Sequence, residues 1–178
     1  MKQLELKISE LAELLESKLI GDPTVGGAQC VLHFDSRDEM QSGVFWPLSG
    51  KNHNAHAFVK DVVNKGVLVT IVDKQWVKEN PNVVQTYIPV ENTNQALLKL
   101  ARGYAKRFAI PKVAITGSNG KTTTKDMLNC ILSHSLHGLA TEGNFNNQVG
   151  VPLTVLRLTA HHEFAIFEMG TSESGEIK

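Results

Sequence analysis

The sequence predicts an α/β protein built as a small N-terminal α/β unit followed by the first part of a second, mostly parallel-sheet domain. Two observations carry this. The apolar residues switch repeatedly between helical and strand spacing along the first hundred positions. A regular helical stripe, Ala96, Leu97, Leu100, Ala101, Tyr104, Ala105 and Phe108, is then followed by a short apolar strand that runs into the glycine-bearing stretch TGSNGKTTT at 116–124.

The elements follow in order. Ile8, Leu11, Ala12, Leu15 and Leu19 recur at helical spacing, with Ser9 able to cap the helix and Gly21-Asp22-Pro23 ending it. Residues 31–34 and 44–48 read as short strands. Phe58, Val59, Val62 and Val63 form a helical stripe closed by Gly66. Residues 67–72 form a continuous apolar run, as a strand buried on both faces does. This alternation fills a first domain over 1–86. The strand-like 83–90 leads into the long helix, and a second domain is expected over 87–178. Pro111 stops the helix, and 113–116 is the strand before the glycine loop.

Composition narrows the function classes. The chain has 178 residues, 42% hydrophobic and 20% charged, enough to bury a core. Its 18 basic residues balance its 18 acidic ones, and no Lys/Arg-rich run occurs, so a nucleic-acid partner is not expected. No apolar run approaches the roughly 20 residues of a membrane-spanning helix. The amphipathic, acidic N-terminus does not resemble a leader peptide, so a cytoplasmic protein with a small-molecule partner is expected. Cys30 and Cys130 form no CxxC pair and are expected to be buried thiols. The adjacent His161 and His162 point different ways and have no second ligand pair at a metal-like spacing.

The order strand, glycine loop, helix is what a phosphate-binding loop requires. Gly117 and Gly120 allow a tight turn that brings backbone N–H groups against phosphate oxygens, and the following helix adds its positive dipole end. Ser118, Asn119 and Thr123 complete the loop. Lys121 supplies a compact cation for the β- and γ-phosphates, and Thr122 a hydroxyl for a magnesium ion. The bland alternative is a solvated Gly/Asn turn that happens to precede Lys-Thr. The loop departs from the pattern of glycine, four residues, then Gly-Lys-Thr, because Ile115 stands where the first glycine would be.

The embedded spacing, AITGSNGKTTT at 114–124, resembles the Mur ligases and their relative folylpolyglutamate synthase. A second segment, FDSRDEMQSGVFWPLSGKNHNAHAF at 34–58, is similar to the part with which Mur ligases hold the UDP end of their substrate. Asp35, Ser36, Arg37, Gly43, Phe45, Leu48, Gly50, His56 and Phe58 fall on that pattern, while Trp46-Pro47 and Ala55 depart from it. Arg37 offers a planar, permanently charged donor for phosphate and Ser36 a hydroxyl for uracil or pyrophosphate. The alternative for Arg37 is an ion pair with Asp35 or Asp38. TEGNFNNQVGVPLTVL at 141–156 looks like the dipeptide-adding branch of the family, with Asn144 and Asn146 expected to face substrate or phosphate. An Asn-rich turn and helix cap would also account for these asparagines. Residues 164–167 read as a buried parallel strand ending in Glu168, similar to the family's strand end, and Glu168 joins Thr122 as a magnesium ligand.

The resemblance implies an ATP- and Mg2+-dependent ligase. It would phosphorylate the terminal carboxylate of UDP-N-acetylmuramoyl-tripeptide and let the amine of D-alanyl-D-alanine attack the acyl phosphate. A monomer is expected. The family's later strands, remaining metal ligands and C-terminal domain lie beyond Glu168, so this chain is expected to be an incomplete and inactive piece of such an enzyme. The rival readings are the tripeptide-forming Mur ligase, the weaker folylpolyglutamate synthase, and a non-catalytic module that binds a nucleotide or UDP-sugar. A GTPase is disfavoured, because no Asn-Lys-x-Asp segment occurs.

Overall fold

The computed structural model describes residues 2–40, 43–50 and 53–170. The chain divides into two compact units, Met1–Leu100 and Ala101–Lys178.

The first unit begins with strand β1 (Lys2–Lys7), which the sequence reading missed. Its signal is the alternation of Leu4, Leu6 and Ile8, all buried. Helix α1 (Ile8–Leu14) follows at once. Ser9 lies inside this helix rather than capping it, and the Glu10 carboxylate reaches back to accept from the Lys7 N–H at 2.8 Å. The helix also ends before Leu19. Ser17 N–H donates to the Ala12 carbonyl and Glu16 N–H to that of Glu13, with Glu16 at φ 52°, a left-handed stop in which glutamate occupies the usual glycine position.

The remaining elements are strands β2 (Gln29–His33) and β3 (Val44–Phe45), hairpin strands β4 (Ser49–Gly50) and β5 (His53–Asn54), helix α2 (Val59–Asn64), strand β6 (Val69–Asp73), helix α3 (Lys74–Glu79) and strand β7 (Tyr87–Val90). Helix α4 (Thr93–Ala105) comes next, and the division between the units falls inside it. The five-stranded sheet has the order β1-β2-β3-β6-β7, parallel except for β1 against β2. The two-sided burial expected for 67–72 is seen in β6, whose first four residues are all buried. Tyr87 to Val90 pair along β6, so this stretch is the sheet's edge strand and lies before the boundary at Leu100, not after one at 86. Met40, Phe45, Val59, Val62, Val72 and Val84 form a core cluster against one face. Trp46 is fully buried and its indole N–H donates to the Thr93 carbonyl at 3.0 Å.

The second unit holds strand β8 (Lys112–Ile115), helix α5 (Lys121–Leu132), strand β9 (Gly138–Ala140), helix α6 (Gly150–Val155) and strand β10 (Phe164–Glu168). The three strands are parallel in the order β8-β10-β9. All five residues of the central β10 are buried. β9 is too short, at three residues, for its periodicity to show in the sequence. In the β8–β10 register Glu168 lies opposite Ile115, so the strand-end carboxylate and the start of the glycine loop emerge side by side.

The cysteines divide against expectation. Cys30 is buried and desolvation pushes its thiol up to about 12, whereas Cys130 is exposed on α5. The outward face of α5 also carries the exposed Met127 and Ile131, and its one buried side chain among the described residues is Lys125. Among the described residues no helix is long and apolar enough to cross a membrane.

The Trp46 contact gives a stability test. Trp46→Phe keeps an aromatic ring but leaves the Thr93 carbonyl without its indole donor, which should cost about 1–3 kcal/mol. Trp76 is half-buried and packs against the edge of the core cluster through its ring, so Trp76→Phe keeps most of that contact and should cost less than Trp46→Phe. Urea midpoints of the two variants measure the difference, and equal shifts would remove the role given to the Trp46 bond.

Candidate functional site

The site in the second unit is built at the C-terminal ends of β8 and β10, where parallel α/β sheets place ligands. The chain leaves β8 at Ile115 and passes through Gly117 at φ 146° and Gly120 at φ 76° before entering α5. Side chains rarely tolerate that region, so glycine is required at both turns. Ser118, Asn119 and Thr123 are exposed on this loop and first turn. Lys121, the first residue of α5, folds its ammonium back onto the Gly117 carbonyl at 2.6 Å.

The expected metal pair is brought together. Thr122 Oγ1 donates to Glu168 Oε2 at 2.8 Å, and the other carboxylate oxygen accepts from Asn146 Nδ2 at 2.9 Å. Glu168 is only 2% exposed. Asn146 is tied down by Gly170 N–H, which donates to its carbonyl at 2.6 Å. Asn144, the other asparagine expected at the site, is exposed, and its carbonyl accepts from Asn146 N–H. Asn147 does the capping work: its side-chain oxygen accepts from the N–H groups of Val149 and Gly150 at the start of α6.

Two residues of the site went unnoticed in the sequence. Thr141 follows β9; its hydroxyl accepts from the Glu168 N–H at 3.0 Å and its carbonyl accepts from Lys125 Nζ at 2.8 Å. Thr122, Lys125, Thr141 and Arg157 line one open cleft of about 600 Å³. The available signal was the second lysine of GKTTTK, one helical turn after Lys121.

In the first unit, Asp35, Ser36 and Arg37 lie on the loop after β2, at the C-terminal side of its parallel neighbours. Arg37 is 87% exposed and makes the ion pair weighed as its alternative: Nε and Nη2 both donate to the Asp35 carboxylate, at 2.9 and 2.5 Å for the shortest contacts. Hydrogen bonds from Arg37 hold the Asp35 carboxyl well below the usual carboxylate range. The Ser36 carbonyl accepts from Lys65 Nζ at 2.6 Å. Other residues of the segment are structural. A Cβ on Gly43 would stand 2.3 Å from the His33 ring. Phe45 belongs to the core. His56 is buried with Nδ1 against Asn54 Oδ1 and Nε2 accepting from Asp73 N–H, and burial lowers its pKa. Residues 41–42 and 51–52 of the segment lie outside the described residues.

Residues 115–178 match the model of the Mur ligase middle domain. Over 98% of its length the chain is 37% identical to the UDP-N-acetylmuramoyl-tripeptide–D-alanyl-D-alanine ligase of Haemophilus influenzae, and over 96% it is 37% identical to the same-named ligase of Bacillus subtilis. A crystal structure of MurF from Acinetobacter baumannii superposes with a TM-score of 0.84 at 32% identity, covering 97% of this chain and 37% of that one. The chain belongs to the Mur ligase family. MurF from Thermotoga maritima, solved in complex with ADP, aligns with a TM-score of 0.72 at 31% identity, over 82% of this chain and 33% of that one. The chain spans 38% and 37% of the lengths of the two curated Mur ligases it matches here.

The Asp35–Arg37 contact can be tested by titration. A carboxyl depressed in the folded state contributes stability above its unfolded value, near 3.9, that is lost as pH falls through the lower folded value. The Asp35 carboxyl, followed by NMR, should titrate below that range. In Arg37→Ala its midpoint should return towards about 3.9. An unmoved midpoint would mean that another group holds Asp35.

Proposed function

We propose that this chain is part of an ATP-dependent amide-bond ligase of peptidoglycan precursor synthesis, which joins D-alanyl-D-alanine to UDP-N-acetylmuramoyl-tripeptide through an acyl phosphate. The observation that carries the proposal is the buried Glu168 carboxylate held against Thr122 beside the Gly117–Lys121 loop. The names of the relatives favour the dipeptide-adding reaction over the tripeptide-forming one. A cytoplasmic location belongs to the same proposal.

A carboxylate becomes a competent acyl donor only when one oxygen is made a leaving group, and phosphorylation by ATP does that. Such chemistry needs positioning and charge stabilisation more than a protein nucleophile. The backbone N–H groups around Gly117, Ser118, Asn119 and Gly120, with those of Thr122 and Thr123 at the start of α5, would cradle phosphate oxygens. Lys121 would exchange its bond to the Gly117 carbonyl for the β- and γ-phosphates.

The donor set suits magnesium, which takes hard oxygen ligands and is commonly held by one or two carboxylates plus substrate phosphates. Thr122 Oγ1 and Glu168 Oε2 are two such oxygens, already 2.8 Å apart. Bound there, the ion would neutralise phosphate charge during transfer. Asn146 would keep the second Glu168 oxygen occupied and the carboxylate in one rotamer, while Asn144 stands exposed on the same loop where substrate could reach it.

The first unit would hold the UDP end. Arg37 is oriented by Asp35, and Lys65, at the C-terminal end of α2, reaches the Ser36 carbonyl, so two cations flank Ser36. A diphosphate would compete with Asp35 for the guanidinium, which is suited to two parallel hydrogen bonds.

Carried in a full-length ligase, Lys121→Ala should lower ATP-dependent phosphate release by about 100-fold or more, as loss of a charge-stabilising donor does. Glu168→Gln should raise the magnesium concentration needed for half-maximal rate while leaving the KM for the UDP substrate within about twofold, because the amide keeps the shape and loses the charge. Near-normal turnover without Lys121, or equal losses in both parameters for Glu168→Gln, would sink the assignment.

A further inference from the structure

Helix α5 buries a lysine and leaves its methionine and isoleucine in solvent. Lys125 is 4% exposed, whereas Met127 and Ile131 are 61% and 69% exposed. Burying an ammonium is costly unless it is paired and hydrogen-bonded. Lys125 is the one buried side chain among the described residues of α5, so its ammonium has to find its partners inside the fold.

The ammonium donates to the Thr141 carbonyl at 2.8 Å and pairs with Asp126 Oδ1 at 3.0 Å. Asp126 is mostly exposed, so the bond to Thr141 is the anchor that reaches into the fold. Thr141 is itself held on three sides. Its N–H donates to the Ile166 carbonyl at 3.0 Å, its carbonyl accepts from Lys125, and its hydroxyl accepts from the Glu168 N–H at 3.0 Å. Glu168 then returns to α5 through Thr122, three residues before Lys125. The contacts close a ring: Lys125, Thr141, Glu168, Thr122 and back along one turn of helix. Two members, Thr122 and Lys125, are fixed relative to each other by the helix, and the others hang from the ends of β9 and β10.

We propose that Lys125 is a positioning residue, which sets the distance between the Thr122 hydroxyl and the Glu168 carboxylate by fixing Thr141, and so tunes the affinity of this pair for a divalent cation carried by a nucleotide. The proposal rests on the nucleotide-binding reading of the loop. It assigns Lys125 no contact with phosphate. Without the ammonium, the Thr141 carbonyl loses its tether to α5, and the hydroxyl that orients Glu168 is held from the sheet side alone. Outer contacts that orient a metal ligand commonly change metal affinity by about 10- to 100-fold when removed.

The test measures ATP binding to the chain by calorimetry, once with Mn2+ as the probe cation and once in EDTA. Lys125→Met keeps the unbranched stem and removes the charge. It should weaken ATP binding in Mn2+ by about 10-fold and leave binding in EDTA within twofold. An equal loss in EDTA would overturn the proposal in favour of a direct phosphate cation, and unchanged binding in Mn2+ by the folded variant would overturn it outright. Should Lys125→Met not fold, Thr141→Val breaks the ring at its other side with an isosteric side chain, and the same Mn2+-specific loss is expected; normal Mn2+ binding by that variant refutes the ring. Where both variants fold, the double variant should bind little worse than either single one, because both act through Glu168, and additive losses count against the proposal. If the unsubstituted chain binds no ATP with or without Mn2+, the nucleotide reading itself fails and the proposal with it. If it binds and the variants show no cation-specific loss, only the role of Lys125 falls.

Discussion

The second unit is organised by one constraint: a carboxylate buried at the end of its central strand has to be satisfied. Glu168 is taken out of water by its own strand, which is covered along its length. A buried carboxylate without partners would be strongly disfavoured as the anion. Its oxygens are met by a hydroxyl from α5 and an amide from the 141–149 loop, and its backbone N–H by the hydroxyl of Thr141. The partners come from the first turn of α5 and from both ends of the stretch 141–146 that follows β9. Placing one charge therefore fixes the first turn of α5, the end of β9 and the asparagine loop together, and the glycine loop must end where Thr122 can reach.

The first unit places its charges the opposite way. Asp35 and Arg37 stand on an exposed loop that Lys65 reaches from the end of α2, and the burial in this unit is of neutral groups such as Trp46 and His56. Exposed ion pairs contribute little to stability, so the Asp35–Arg37 contact orients the guanidinium more than it holds the fold. The segment resembling the family's UDP-binding stretch thus separates into two kinds of residue. Gly43, Phe45 and His56 shape the scaffold, and Asp35, Ser36 and Arg37 are presented at its edge.

How far the sequence could be read follows from the same physics. β10 was legible because a fully buried parallel strand is a continuous apolar run, and the glycine loop because only glycine meets its backbone angles. α4 was legible because its stripe persists over several turns. β1, α3 and β9 were not. β1 alternates for only three apolar positions before the chain turns helical, α3 buries no residue fully, and β9 has three residues. The end of α1 was misplaced because Leu19 continues the helical spacing after a stop made by Glu16, and nothing in a glutamate announces a left-handed backbone. Of the site, Thr122 and Glu168 could be named from residue types that suit magnesium, whereas Asn146 is named through the resemblance as a substrate- or phosphate-facing residue and its side chain instead donates to Glu168. Lys125 left only the spacing of a second lysine one turn after Lys121, and Thr141 left no signal, because the part each plays depends on tertiary contacts.

The resting position of Lys121 adds the last step. Its ammonium is not waiting in solvent but bonded to the carbonyl of Gly117, four residues back across the loop it must serve. That bond closes the loop on itself and holds open the backbone turn whose N–H groups would face phosphate. An incoming triphosphate would replace a neutral carbonyl with a multiply charged partner for the same ammonium, adding ion–ion attraction to a hydrogen bond that is already charge-assisted. On the proposed reading the same cation would serve two states, keeping the loop shaped when empty and neutralising phosphate when filled. That economy depends on the two glycines, because a side chain at either would strain the turn that brings the Gly117 carbonyl within reach of Lys121.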